Sequence, residues 1–145
     1  MIAKENSFAP GRPLIVGIRM DMEKGWHGYW KNPGDTGMPL QIEWTLPDGF
    51  TVGKLQWPTP KRFEYDGIIG YGYEKQALFL AEITPPKNFS SSEQVSIKAN
   101  VRWLVCSDAM CLPGDTDLSL TFPLTTPKNS SKLFTKAQAA VPRKL

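Results

Sequence analysis

The sequence predicts an all-β fold: an antiparallel β-sandwich carrying a short C-terminal helix. Three observations lead there. Seven or eight short runs alternate apolar and polar residues, with the two-residue period of half-buried strands. Dense turn chemistry separates them, in a chain of 145 residues holding 12 glycines and 13 prolines. Only the last stretch changes period, with Leu133, Phe134, Ala137, Ala140 and Val141 at helical spacing behind a Ser130 or Ser131 N-cap.

Taken in order, Ala3 to Arg12 is polar and reads as an extended lead-in. Leu14, Val16, Ile18, Met20 and Met22 then alternate with Ile15, Gly17, Arg19 and Asp21, a strand with one apolar face. From Gly25 to Gly37 three aromatics, Trp26, Tyr29 and Trp30, precede Asn-Pro-Gly and Asp-Thr-Gly. That pattern predicts either a long loop anchored by buried aromatics or an aromatic wall beside a site. Leu40, Ile42 and Trp44 alternate with Gln41 and Glu43 as a strand, and Leu46 to Phe50 is a turn. Val52 to Trp57 is a short strand closed by Pro58 and Pro60, which keep this end out of a central ladder. In Phe63 to Tyr73, Gly67, Gly70 and Gly72 interleave with apolar residues, as in an irregular edge strand or a mobile flap. Ala77 to Ile83 is a strand stopped by Pro85-Pro86, and Asn88 to Glu93 is a polar hairpin loop. Val95 to Val105 is the longest alternating run, and Leu118, Leu120 and Phe122 mark a last strand. The expected division is a sandwich over 1–128, with 129–145 a tail or short helix of the same domain.

This length fits one domain able to bury a core without staples. The net charge of +3 implies no nucleic-acid or membrane surface. No apolar run is long enough to span a bilayer, and no signal-peptide core is present. The polar run Lys4 to Ser7 near the start fits a mature domain cut from a longer precursor.

Both cysteines, Cys106 and Cys111, sit at the end of the longest run. Val95, Ile97, Ala99, Val101, Trp103 and Val105 share one parity and are expected in the core. Cys106 has the parity of Lys98 and Arg102, so it should point outward, where a partner could reach it. Pro113-Gly114 should end the stretch as a turn. Two readings of the pair stay open on spacing alone. As a structural staple, so short a loop gains roughly 2 kcal/mol from chain entropy. As a redox couple, one sulfur attacks or is attacked and its neighbour resolves the mixed disulfide. Copper(I) is a third option, because Cys106, Met110 and Cys111 place soft sulfur ligands in one loop. With His27 as the one histidine, the usual zinc sites lack ligands, and no nucleophile elbow or phosphate-cradling loop is present.

Three groups of residues carry a family resemblance. They are Trp26-His27-x-Tyr29-Trp30-x-Asn32-Pro33-Gly34-Asp35-x-Gly37, Trp57-Pro58-x-Pro60-x-Arg62-Phe63, and Trp103-Leu104-Val105-Cys106 with Cys111-x-Pro113. Together they resemble the N-terminal periplasmic domain of the DsbD/ScsB-type thiol:disulfide interchange proteins. The resemblance implies an immunoglobulin-like sandwich with a redox-active disulfide, Cys106-Cys111, and no other cofactor or metal. It implies a relay in which a membrane-embedded domain of the same full-length protein supplies electrons through a thioredoxin-like domain. The recipients would be periplasmic disulfide oxidoreductases. By position, Cys111 would form the mixed disulfide and Cys106 would resolve it. A cap would lie in Asp66 to Tyr71, with Ile68 or Ile69 as its shielding tip, and Tyr29 and Trp30 would line the site. The location implied is the periplasm, as part of an inner-membrane protein. The chain departs from the best-known members in a cysteine spacing one residue shorter, and in an aliphatic cap tip where those have an aromatic.

Overall fold

Residues 1–35, 37–65, 67–90 and 94–123, those described in a computed structural model, form ten strands in two antiparallel sheets. In chain order they are β1 (Ile2–Ala3), β2 (Leu14–Asp21), β3 (His27–Gly34), β4 (Gln41–Thr45) and β5 (Thr51–Val52). Then follow β6 (Lys61–Tyr65), β7 (Ile68–Glu74), β8 (Gln76–Thr84), β9 (Val95–Cys106) and β10 (Cys111–Phe122). One sheet runs β1-β2-β8-β5, and the other runs β10-β9-β3-β7-β6 with β4 also paired to β9. The twelve residues of β9 are therefore shared. β10 lies along one side, while β4 and then β3 divide the other.

The alternating residues read from the sequence form the core between the sheets. Leu14, Val16 and Ile18 of β2 face Val95, Ile97, Ala99 and Val101 of β9, and all are buried. At one end Phe8 packs edge-on against Phe50, Phe89 and Phe122. At the other, Phe79 is met edge-on by Trp57 and Tyr73, each with ring centroids 5.3 Å away. Burying a ring of this size contributes about 1.5–3 kcal/mol, and aromatic edge contacts add to it. The Tyr73 hydroxyl donates to the Pro58 carbonyl at 2.7 Å, which fixes the Trp57-Pro58 segment over the same core.

Several elements differ from the sequence reading. His27–Gly34 is a strand rather than a long loop, because β7 and the end of β9 supply its ladder partners. The Asn-Pro-Gly chemistry is absorbed as a register shift between Tyr29 and Gly34. Pro113-Gly114 does not end the cysteine stretch as a turn; it lies inside β10, opposite Leu104 and Trp103. β10 is an edge strand, where a missing N–H is tolerated. Gly114 leaves room for the Trp103 ring, which would stand 2.3 Å from a Cβ there. The glycine-rich segment is a regular hairpin, β6–β7, with β7 paired on both sides. Of the expected strand from Val52 to Trp57, only Thr51–Val52 and a bridge from Gln56 to Leu80 form. The expected C-terminal helix and the boundary after residue 128 lie outside the described residues.

β3 and β7 approach so closely that a Cβ on Gly72 would fall 1.8 Å from the Gly28 carbonyl oxygen. Gly67, at the hairpin tip, has positive φ but open space around it. Gly72→Ala is therefore expected to cost about 3 kcal/mol in urea unfolding, because backbone has to move. Gly67→Ala should cost about 1 kcal/mol, for conformation alone.

Candidate functional site

Cys106 closes β9 and Cys111 opens β10, with a tight turn between them. The Ser107 amide donates to the Met110 carbonyl at 2.8 Å. The Ser107 hydroxyl accepts from the amides of Ala109 and Met110 at 3.2 and 3.3 Å. Residues 107 and 110 thus form a hydrogen-bonded pair, so the next pair, Cys106 and Cys111, is the non-hydrogen-bonded kind at which strands lie closest. Their Cα atoms are 4.0 Å apart and the sulfurs are joined as a disulfide.

Ladder register places the neighbours, because residues opposed across an antiparallel ladder share a face. His27 of β3 is opposite Cys106, and Glu74 of β7 is opposite His27. Tyr29 follows two residues along β3, opposite Gly72, and Phe63 of β6 lies opposite Gly70. On this outer face His27 stacks on Phe63 at 4.8 Å and meets the edge of Tyr29 at 5.2 Å. His27 Nε2 and the Tyr29 hydroxyl are 3.2 Å apart. Lys61 pairs with Glu74 and lies over the Phe63 ring at 5.7 Å. Tyr29 is buried because Gly37 lies flat against its ring, where a Cβ would fall 2.4 Å away.

This aromatic layer corrects the reading of Cys106. Its parity is outward, but the face is covered, and Cys106 is only 3 % exposed. Cys111 is the exposed member. Exposed Met110 and Leu112 flank it along the chain. Nearby, Met38, Leu104, Pro113 and Gly114 line a cavity of about 400 Å³.

The remaining expected site residues divide between the two faces. Tyr29 is on the cysteine face, whereas Trp30 and Tyr71 point to the other side, where their rings meet at 6.2 Å. Trp30 packs against the core cluster of Ile18, Tyr73 and Phe79, and its buried indole N–H has no hydrogen-bond partner among the described residues. Ile68 shares the face of Phe63 by register and is 47 % exposed. Ile69 is half-buried, and Asp35 holds its backbone twice: the Ile69 amide donates to the Asp35 carboxylate at 2.8 Å, and the Asp35 amide donates to the Ile69 carbonyl at 2.9 Å. Asp66 lies outside the described residues. His27 enters the sequence reading only as the one histidine and as part of the resembling motif, not as a site residue, and Lys61 and Glu74 do not enter it. The signal available for His27 was its parity with Tyr29.

Burial pushes the His27 imidazole below the ordinary value of about 6.5, while the carboxylates of Asp108 and Glu74 pull the other way. Burial raises the Tyr29 phenol. The hydrogen bond from Lys61 lowers Glu74. Among the described residues no three His, Cys, Asp or Glu side chains gather as a metal site. Of the expected copper(I) trio, the cysteines are bonded to each other and Met110 stands exposed at the turn.

The sequence profile described as "Thiol:disulfide interchange protein DsbD, N-terminal" matches residues 1–123. The chain belongs to this DsbD N-terminal family. Among solved structures it is similar to the N-terminal periplasmic domain of ScsB from Proteus mirabilis, with a TM-score of 0.71 at 24% identity. That match covers 93% of this chain and 51% of the ScsB chain, so this chain spans about half the length of that relative. It is also similar to the Neisseria meningitidis DsbD N-terminal domain in its reduced form, with a TM-score of 0.48 at 14% identity over 79% and 80% of the two chains. No significant match is found among curated proteins.

As the one histidine, His27 is directly observable in this DsbD-family domain. Its imidazole resonances should titrate with a midpoint below about 6.5. A lowered folded-state value means the unfolded chain binds more protons near pH 6, so stability is complete above pH 6.5 and falls as pH drops through it. Urea midpoints at pH 7.5 and 5.0 should therefore differ more in the native protein than in His27→Gln.

Proposed function

We propose that this domain is a periplasmic thiol:disulfide exchange relay, working through Cys106 and Cys111. The carrying observation is the unequal exposure of the two sulfur-bearing residues within one disulfide. An incoming thiolate needs a reachable sulfur, which Cys111 offers, and the exchange needs a second sulfur held beside it, which Cys106 is. Family membership supports the same reading. Electrons would arrive from a membrane-embedded domain of the longer protein by way of a thioredoxin-like domain, and leave to periplasmic oxidoreductases. The apolar side chains around Cys111 suit contact with such protein partners. The two face-to-face antiparallel sheets suit an immunoglobulin-like class. Ile68 is the better candidate for the shielding tip, being exposed and on the cysteine face.

Titration against a glutathione or dithiothreitol couple should place the disulfide potential above about −300 mV, the upper bound for inert structural disulfides. Cys106→Ser should fold and trap a mixed disulfide through Cys111 with a thioredoxin-like protein, detected by mass, and Cys111→Ser should not. A potential well below that bound, or Cys variants that fail to fold, would make the pair a staple. For the cap, Ile68→Gly combined with Ile69→Gly should speed iodoacetamide alkylation of the reduced cysteines with little change in the urea midpoint. An unchanged alkylation rate with a collapsed midpoint would assign both isoleucines to packing instead.

A further inference from the structure

The exchange reading leaves a chemical problem at Cys106. To resolve a mixed disulfide its thiol has to lose a proton, yet the residue is almost fully buried. A thiolate out of water is costly, and burial disfavours it. A buried thiol therefore needs a base held beside it, and the ladder supplies one. His27 is the residue directly opposite Cys106, and Cβ atoms of opposed residues lie about 4.5–5.5 Å apart. Two residues hold the imidazole: Phe63 stacks on it, and Tyr29 packs against it edge-to-face with its hydroxyl at Nε2. With the Tyr29 hydroxyl engaged at Nε2, Nδ1 is the ring nitrogen left for exchange with the sulfur.

We propose that His27 is the proton acceptor for Cys106, and its proton donor in the reverse direction. This rests on the exchange reading above, with Cys111 as the sulfur joined to the partner. The imidazole takes the proton from the Cys106 thiol. The resulting thiolate attacks Cys111 Sγ of the mixed disulfide. A Cys106–Cys111 bond forms and the bond from Cys111 to the partner sulfur breaks. Its electron pair leaves on the partner as a thiolate, so that over the whole exchange, from dithiol to disulfide, the domain is oxidised by two electrons and the partner disulfide is reduced by two. The imidazolium then releases its proton to the departing thiolate or to water. Run backwards, the same steps deliver the proton to Cys106 as the disulfide opens.

The surroundings suit a base that cycles. Asp108 in the cysteine turn and Glu74 across β7 both attract the imidazolium, and Lys61 of β6 offsets Glu74 by pairing with it. Tyr29 is the remaining titratable group in contact, and its raised phenol stays protonated. Burial disfavours the imidazolium and so favours the neutral ring, the form that accepts a proton.

The reduced protein with 5,5′-dithiobis(2-nitrobenzoate) separates the two sulfurs. Attack by Cys111 releases a first nitrothiobenzoate, and resolution by Cys106 releases a second in a unimolecular phase. In the native protein the second phase should follow an ionisation with the midpoint of the His27 imidazole measured by NMR. His27→Gln should slow that phase about a hundredfold, erase this pH dependence, and leave the first phase unchanged. Slowing of less than about threefold, or equal slowing of both phases, overturns the assignment. If His27→Gln does not fold, Tyr29→Phe carries the test: it should move the imidazole midpoint and the second-phase midpoint together, and divergence of the two overturns the proposal. Absence of any second release from the native protein would instead overturn the exchange reading itself.

Discussion

Strands β3 and β7 pass so close to each other that a methyl group does not fit between them. Gly72 sits against the Gly28 carbonyl, and Gly34 sits against the Ile69 carbonyl, where a Cβ would fall 2.4 Å away. Much of the site depends on that approach. With glycine at positions 70 and 72, the middle of the outer face of β7 is bare backbone, and the Tyr29 ring lies against it. Phe63 of β6 then reaches across to stack on His27. The result is an aromatic layer beside the disulfide, built on strands rather than loops.

Much of the fold was legible in the sequence, because alternation is a direct consequence of the strand period. The buried Leu14, Val16 and Ile18 of β2 and Val95, Ile97, Ala99 and Val101 of β9 are residues the alternation assigned to the core. The errors fall where turn residues are used inside strands. Pro113 is tolerated because β10 is an edge, and the Asn32-Pro33-Gly34 turn chemistry is tolerated because β3 bulges. Neither context can be seen without knowing the strand order. The glycines of β7 read as hinges for the same reason. Their role is close approach, which is a property of two chains rather than one.

The site divided in a similar way. The cysteines and Tyr29 were legible as chemistry. The placing of Trp30 was not, because adjacency in sequence sets it on the opposite face once His27–Gly34 is a strand. The burial of Cys106 depends on which residue of β3 meets the end of β9, a register fixed by tertiary pairing. Parity alone gave Cys106 the correct face and could not say what covers it.

The disulfide bridges the rung of the β9–β10 ladder nearest the turn, and the ladder continues in unbroken register from Cys106 and Cys111 to Val95 and Phe122. It therefore fastens a hairpin that its own backbone bonds and cross-strand side chains, such as Asn100 with Asp117, already hold shut. Opening the S–S bond frees no segment of chain to wander. The register of the hairpin is thus held by contacts other than the sulfur–sulfur bond. On the exchange reading, such an arrangement keeps the redox change at the sulfurs apart from the folding of the hairpin that carries them.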